Sequence, residues 1–201
     1  MIASAKQLTE LMGLPVVQAP SEAEAQAAHM ARRGDVWAAA SKDYDALLFG
    51  APRLVRFLTI SGREFLPAQR TFRPITPELI DLPRMLEALG ITRAQLIDLG
   101  LLVGTDFHPG VIGIGPKKAL ALVRRHGAIE HMPSAVRDAF TDNLNRLRQI
   151  YLEPDVHDDY RVESGRCDVN GVAHFLCDEY AFGRDRVMAA LERAFGSQTL
   201  F

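Results

Sequence analysis

Five carboxylates of this chain lie where a fold could gather acidic groups for catalysis: Glu22, Glu24, Asp43, Asp45 and Asp106. The first two follow the short apolar run 15–19, the next two follow the apolar run 36–41, and the last ends the sequence Gly-Thr-Asp. Both runs are typical of buried strands, and open parallel sheets place ligands at the carboxyl ends of their strands. The spacing therefore predicts that the carboxylates converge.

Convergent carboxylates predict a divalent metal site. Like charges that lie close together raise each other's pKa, and such a cluster is tolerated mainly when cations neutralise it. Oxygen ligands without nearby His or Cys favour Mg²⁺ or Mn²⁺. Two such ions about 4 Å apart would activate a water and stabilise the leaving oxygen of a phosphoryl transfer.

Each carboxylate also has an ordinary structural explanation. The sequence Ser21-Glu22-Ala23-Glu24 fits a helix capping box, and acids in a first helical turn suit the helix dipole. Asp43 and Asp45 could form a solvated turn, and Asp106 could cap its own loop. The joint placement of three acidic sites after buried segments favours the metal interpretation.

A glycine-rich string at residues 110–120, GVIGIGPKKAL, is the most specific in the chain. Its glycines permit tight turns, Pro116 suits the first turn of a helix, and a helix N-terminus presents unpaired N–H groups to an anion. The alternative is a plain helix–loop–helix with solvated lysines. We expect the string to grip a phosphodiester backbone without reading bases. The residues expected to do so are Gly113, Gly115, Lys117, Lys118, Arg124 and Arg125.

The elements that would position these groups fall into two parts. Up to about residue 70, strand-like runs alternate with helical patterns, which predicts an α/β fold with a partial parallel sheet and helices on both faces. The expected strands are 15–19, 36–41 and 54–60, and the expected helices are 4–12 and 22–33. From residue 71, strand-like runs nearly vanish, and helices are expected at 77–89, 92–103, 116–126 and 134–151, with one or two closing helices within 169–195. We therefore assign residues 1–70 to a metal-site part and 71–201 to a helical part, with the hairpin at about 104–126.

Composition limits the classes of function. The chain has 201 residues, with 23 Lys+Arg against 25 Asp+Glu, so its overall charge offers no polycation for nucleic acid or lipid. Any phosphate binding must therefore be local.

The two cysteines, Cys167 and Cys177, form no zinc or disulfide pattern, and we expect reduced, buried thiols. Without an apolar membrane span or a signal peptide, we expect no membrane partner and a cytoplasmic location, on the nucleoid in a prokaryote.

Several stretches of the chain resemble one known family. They are residues 18–25 (QAPSEAEA), 42–45 (KDYD) with 48–50 (LFG), 103–106 (VGTD) with the glycine-rich string behind it, and 175–179 (FLCDE). In order and spacing they are similar to the internal nuclease region and C-terminal part of flap endonucleases, the structure-specific 5′-nucleases of the XPG family. The resemblance runs from about residue 4 to residue 195.

This resemblance implies a PIN-like 5′-nuclease fold and a two-metal nuclease that cuts 5′ flaps at duplex/single-strand DNA junctions in replication and repair. The five carboxylates would be metal-site acids, and residues 104–126 would be a helix-two-turn-helix that holds the duplex. It also implies a potassium ion at the carbonyls of Val111 and Ile114, although Gly110 lacks the hydroxyl of the serine that can occur there.

Two departures from the family alter the expectation. Family members carry a portion ahead of the position of Met1, and this portion contains two further metal-binding aspartates and the arch helices. Here a separate segment would have to supply those aspartates and helices. We therefore expect weak or absent cleavage by this chain alone. Residues 197–201 resemble the start of a sliding-clamp binding tail but lack its aromatic pair, so we do not expect clamp binding.

Two other functions remain as alternatives. A non-catalytic duplex-binding module would use only the hairpin, and its affinity for DNA would not depend on magnesium. A small-molecule phosphohydrolase would use Asp43 and Asp45 as its acidic pair, with one of them as nucleophile, and would not need Lys117 or Lys118.

Overall fold

The computed structural model describes residues 2–58, 62–66, 70–140 and 143–196. By their contacts they form two compact units, a larger one of Ala19–His157 and a smaller one that combines Met1–Gln18 with Asp158–Phe201. The functional division expected near residue 70 lies within the larger unit and stays a prediction.

Helices are the most common elements among the described residues. In chain order they are α1 (Ile2–Leu11), α2 (Ala23–Arg33), α3 (Asp45–Leu48), α4 (Leu82–Leu89), α5 (Arg93–Val103), α6 (Pro116–His126), α7 (Ser134–Arg137), α8 (Leu144–Leu152), α9 (Val169–Ala173) and α10 (Arg184–Phe195). Two 3₁₀ turns, Ile129–His131 and Asp138–Phe140, and one π-helical segment, His174–Glu179, complete the helical elements of the described residues. The strands are β1 (Ala39–Ala40), β2 (Arg53–Arg56), β3 (Arg63–Leu66), β4 (Thr71–Pro74) and β5 (Glu78–Asp81).

A three-stranded sheet lies in the larger unit, in the order β1-β2-β5. β1 runs parallel to β2, with Ala39 opposite Leu54, and β5 runs antiparallel to β2, with Ile80 opposite Leu54. β3 and β4 form a separate antiparallel pair. The α/β fold class with helices on both sides of the sheet is confirmed, and the sheet is mixed because β5 returns along β2.

Several predicted helices have the expected bounds and caps. α6 spans residues 116–126 with its proline in the first turn, and α2 ends at Gly34, which has the left-handed φ of 82°. At the start of α5 a capping box is present, since Thr92 and Gln95 each accept a hydrogen bond from the other's backbone N–H. Local sequence signals therefore fixed these boundaries.

Three element predictions were wrong or incomplete. Residues 14–19 form no hydrogen-bonded strand, because a strand needs a neighbour and none of the described strands pairs with them. The expected helix 77–89 begins as β5 and becomes helical only at Leu82, since residues 78–81 pair with β2. The expected helix 134–151 is interrupted at Asp138–Phe140, where Phe140 is buried and stacks on His108 at 4.4 Å.

The core of the larger unit centres on α5. Ile97, Leu101 and Leu102 of this helix are fully buried, and α5 packs against α3, α6 and α8. Its close approach to α3 depends on Gly100, where a Cβ would lie 3.1 Å from Leu48 Cδ1. α5 thus fixes the position of α3, which begins at Asp45, relative to the loop that carries Asp106.

The smaller unit has its own apolar cluster. Val172, Val187 and Leu191 are buried in it, and Cys167 and Cys177 lie at its edge as free, half-buried thiols, so these cysteines are less buried than expected. None of the helices described is long and apolar enough to cross a membrane.

A buried ion pair joins α5 to α8 in the larger unit. The Arg148 guanidinium donates to both carboxylate oxygens of Asp98 at 2.7 Å, and Asp98 also accepts from the backbone N–H of Ile129 at 3.2 Å. Asp98 is only 2% exposed. Arg148 also binds Glu130 and lowers the pKa of that carboxyl to about 2.

We expect Arg148→Met to lower the free energy of unfolding by about 3–5 kcal/mol, because it leaves a buried carboxylate without its cation. Urea denaturation measures this change. The matched control is Arg137→Met, which breaks an exposed pair with Asp138 and should cost less than about 0.5 kcal/mol. A loss below about 1 kcal/mol for Arg148→Met would contradict the expectation.

Candidate metal centre and nucleic-acid interface

The first pair of carboxylates lies at the start of α2. Glu22 is the N-cap residue and makes no side-chain capping bond, so the predicted alternative of a capping box from Ser21 is not formed. The Glu24 carboxylate instead accepts a hydrogen bond from the Ser41 hydroxyl, just beyond β1. Glu24 is therefore directed toward the end of the sheet rather than along its own helix.

The second pair lies in the turn that follows β1. Ser41 accepts a hydrogen bond from the backbone N–H of Asp43 at 3.1 Å, so one hydroxyl ties this turn to Glu24. Arg56 on β2 holds the same turn, since it donates to the Lys42 carbonyl at 3.0 Å and lies 4.1 Å from the centre of the Tyr44 ring. Asp45 then begins α3.

Asp106 lies on a tight loop after α5. Thr105 and His108 exchange backbone hydrogen bonds of 2.8 and 3.2 Å, which leaves Asp106 exposed at the turn between them. Gly110 closes the loop with a φ of 80°, and a Cβ there would lie 2.5 Å from the Val103 carbonyl oxygen. Glycine is required at this position to bring the two ends of the loop together.

The five carboxylates share one electrostatic environment. Burial raises the pKa of Glu24, and Asp45, Asp43 and Asp106 raise it further, against the lowering effect of the Ser41 hydrogen bond. Burial likewise raises the pKa of Asp45, with further contributions from Asp106, Asp43 and Glu22. Three chain segments distant in sequence therefore bring their negative charges within range of one another.

The donor set suits a hard cation, but the coordination sphere is not complete. All five groups offer carboxylate oxygens, and burial together with repulsion from neighbouring carboxylates disfavours the charged forms of Glu24 and Asp45, which a cation would neutralise. Within the described ranges, no three His, Cys, Asp or Glu side chains are grouped closely enough to hold a metal ion. The chemistry of the site fits Mg²⁺ or Mn²⁺, while the described ligands alone do not enclose one.

The glycine-rich hairpin joins α5 to α6 as expected. Gly113 has a φ of 78°, Gly115 is the N-cap of α6, and nothing lies within 4 Å of a Cβ built at either position. Their lack of a side chain therefore leaves open space in front of the helix N-terminus. Ile112 is fully exposed at the tip of the turn.

Positive charge is placed at both ends of α6. Lys117 and Lys118 are exposed in its first turn, where the unpaired N–H groups lie, and the Lys118 ammonium reaches the Gly113 carbonyl at 3.4 Å. At the other end, Arg124 donates to the Leu89 carbonyl at 2.7 Å, so it also secures the end of α4, while Arg125 is exposed.

Three residues that sequence reasoning did not select support this site. Ser41 follows the predicted strand 36–41 and could have been suspected from its position beside Asp43. Arg93 donates from α5 to the Leu48 carbonyl at 3.0 Å and to the Tyr151 carbonyl at 2.7 Å, thereby joining α3 to α8. No sequence pattern distinguishes Arg93 or Tyr151, because their partners lie 45 or more residues away.

Comparison with protein families and curated proteins finds clear relatives. Residues 13–106 match the family model of the XPG I-region. The chain is 50% identical to flap endonuclease 1 of Hyperthermus butylicus over 195 residues and to that of Pyrococcus abyssi over 194 residues. Each match covers 96% of this chain, which spans only 56% of the length of each relative.

The fold matches a solved structure of the same kind. Flap endonuclease-1 from Methanococcus jannaschii superposes with a TM-score of 0.78 at 42% sequence identity, over 93% of this chain and 54% of that one. The catalytic core of Rad2 in complex with DNA substrate gives a TM-score of 0.76 at 20% identity, over 94% of this chain and 66% of that one, which is a likeness of fold.

We expect Asp45→Asn to raise the melting temperature of the chain in EDTA by roughly 2–4 °C, as a change of about 1 kcal/mol would. The reason is that the substitution removes one of several mutually repelling charges. Thermal denaturation followed by circular dichroism measures the shift. Asp159→Asn, an exposed acid outside the cluster, serves as control and should leave the melting temperature unchanged. A lower melting temperature for Asp45→Asn would contradict the clustering of charge.

Proposed function

This chain is a relative of the flap endonucleases and contains an XPG I-region, and on that premise we propose that it provides catalytic acids and the duplex-binding hairpin of a structure-specific 5′ nuclease. The substrate is DNA with a 5′ flap or a duplex/single-strand junction, and the reaction is hydrolysis of a phosphodiester bond. One observation carries the proposal, namely the shared electrostatic environment of five acids from three separate segments.

The acids act as ligands of Mg²⁺ or Mn²⁺, with two ions in the complete site. When bound, the cations supply an activated water and stabilise the leaving oxygen. The contribution of the chain is orientation: Ser41 holds the Glu24 carboxylate, Arg56 holds the turn before Asp45, and the closed loop 104–110 presents Asp106. No side-chain nucleophile is required.

The hairpin holds the duplex by its phosphates. Its support is the open space in front of Gly113 and Gly115, together with the α6 N-terminus and the exposed ammonium groups of Lys117 and Lys118. Arg124 and Arg125 extend the positive charge along the helix. The carbonyls of Val111 and Ile114 would hold a potassium ion, which would add positive charge for phosphate binding at this turn, although the Val111 carbonyl already accepts the Ile114 N–H at 3.0 Å.

The partners include a segment that completes the site. This chain spans 56% of the length of each relative, and we propose that the remaining part of their length includes a segment with two further aspartate ligands. Residues 197–201, where a clamp-binding tail would begin, lie outside the described residues, so the absence of clamp binding stays a prediction.

We expect cleavage of a 5′-flap oligonucleotide in Mg²⁺ to depend on the acid cluster. Asp45→Ala should abolish cleavage and leave duplex affinity nearly unchanged, whereas Asp159→Ala should leave both unchanged. Gel-based cleavage and fluorescence anisotropy are measured with and without a supplied N-terminal segment of a flap endonuclease, since the chain alone is expected to cut weakly. Cleavage by Asp45→Ala at the wild-type rate would refute the metal assignment, and Mg²⁺-independent binding without any cleavage would favour the duplex-binding module.

We expect the double substitution Lys117→Ala/Lys118→Ala to weaken duplex affinity uniformly across DNA sequences. It should also make the slope of log affinity against log salt concentration shallower, by the amount expected for the loss of about two phosphate contacts. The exposed Arg161, outside the hairpin, gives the control substitution Arg161→Ala. Fluorescence anisotropy over a range of KCl concentrations measures the slope. An unchanged slope in the double variant would remove these lysines from the interface.

A further inference from the structure

A buried phenol lies beside the acid cluster. Tyr151, near the end of α8, is completely buried, and its hydroxyl is the one buried side-chain polar atom among the described residues that has no hydrogen-bond partner. Buried polar groups are almost always paired, so an orphan hydroxyl usually marks a water, an ion or a functional rearrangement. The sequence gives no reason for a tyrosine here, since phenylalanine would fill the same apolar space.

The Tyr151 ring is held by the segments that carry two of the acids. Phe49, which directly follows α3, lies 5.0 Å from it between ring centres, and Phe107, next to Asp106, meets it edge-on at 5.8 Å. Arg93 fixes the backbone of the same residue through its carbonyl at 2.7 Å. The ring cannot turn its hydroxyl away without disturbing these contacts.

The surroundings of the hydroxyl are acidic. Burial raises the pKa of Tyr151 to about 12; the nearby Thr105 hydroxyl acts to lower it, and the carboxylates of Asp45, Asp106 and Glu22 each add a smaller increase. The phenol therefore keeps its proton and is a neutral donor close enough to the carboxylates to be affected by their charge. A donor in this place lowers the energy of a charged carboxylate, which is the form that binds a cation.

We propose that Tyr151 is a positioning residue for the acid cluster: when a divalent cation binds, its hydroxyl donates a hydrogen bond to the Asp45–Asp106 side of the cluster, directly or through one water. The hydroxyl thereby fixes the orientation of a ligand carboxylate, as outer hydrogen-bonding groups do in other metal sites. This inference rests on the cation binding proposed above.

The substitution Tyr151→Phe tests the inference, because it removes only the hydroxyl and keeps the ring between Phe49 and Phe107. In EDTA the variant should melt at the wild-type temperature or above it, since an unpaired buried donor has been removed. Its affinity for Mn²⁺ in the presence of the supplied N-terminal segment, titrated by calorimetry or by the EPR signal of free Mn²⁺, should fall about tenfold. Tyr180→Phe, which removes a hydroxyl bonded to Ser4 in the smaller unit, should leave the Mn²⁺ affinity unchanged.

The outcomes separate this inference from the proposed function. Equal Mn²⁺ affinities for the wild-type chain and Tyr151→Phe would overturn the positioning role alone, and the hydroxyl would then be a packing defect. A wild-type chain that binds no Mn²⁺ even with that segment present would overturn the proposed function, and the positioning role with it. A tenfold loss of affinity without a loss of thermal stability supports the role, because a purely structural contact would not give that combination.

Discussion

Repulsion between like charges is the constraint on which the rest of this structure depends. Five carboxylates from three segments lie in one electrostatic environment, and burial makes the charged forms of Glu24 and Asp45 still less favourable. A chain folds into such an arrangement only if other interactions hold the segments in place. The site is thus a local cost to stability, which the proposed cation would relieve.

The apolar packing of α5 opposes this repulsion. The helix is buried between α3, α6 and α8, and it carries contacts to both acidic segments: Gly100 admits Leu48 of α3, and the loop that presents Asp106 follows its last turn. Arg93 and the Asp98–Arg148 pair then fix the same helix to α3 and α8 by buried hydrogen bonds. Because α5 also leads into the glycine-rich hairpin, one rigid element connects the acids to the expected phosphate-binding surface.

The two sites within the larger unit differ in how they are built. The hairpin depends on local features, which are a left-handed glycine, a proline in the first helical turn and lysines beside a helix N-terminus. The acid cluster depends on contacts between residues far apart in sequence, such as the hydrogen bond from Ser41 to Glu24 and the burial of Tyr151 between Phe49 and Phe107. Substitutions in α5 or α8 can therefore alter the acid cluster without touching an acid.

The sequence by itself identified the five acids and the hairpin as candidate sites, and it predicted the α/β class. It also determined the bounds of α5 and α6, because helix periodicity, caps and glycine turns act over a few residues. It failed where a distant partner decides the outcome. Residues 78–81 have a pattern compatible with a helix but form a strand because β2 lies beside them, and residues 15–19 form no strand because none of the described strands pairs with them. Only the tertiary structure decided that Ser41 binds Glu24, that Arg93 joins α3 to α8 and that Tyr151 is buried beside the acids. Hydrogen bonds and burial depend on which segments meet in space and not on their order along the chain.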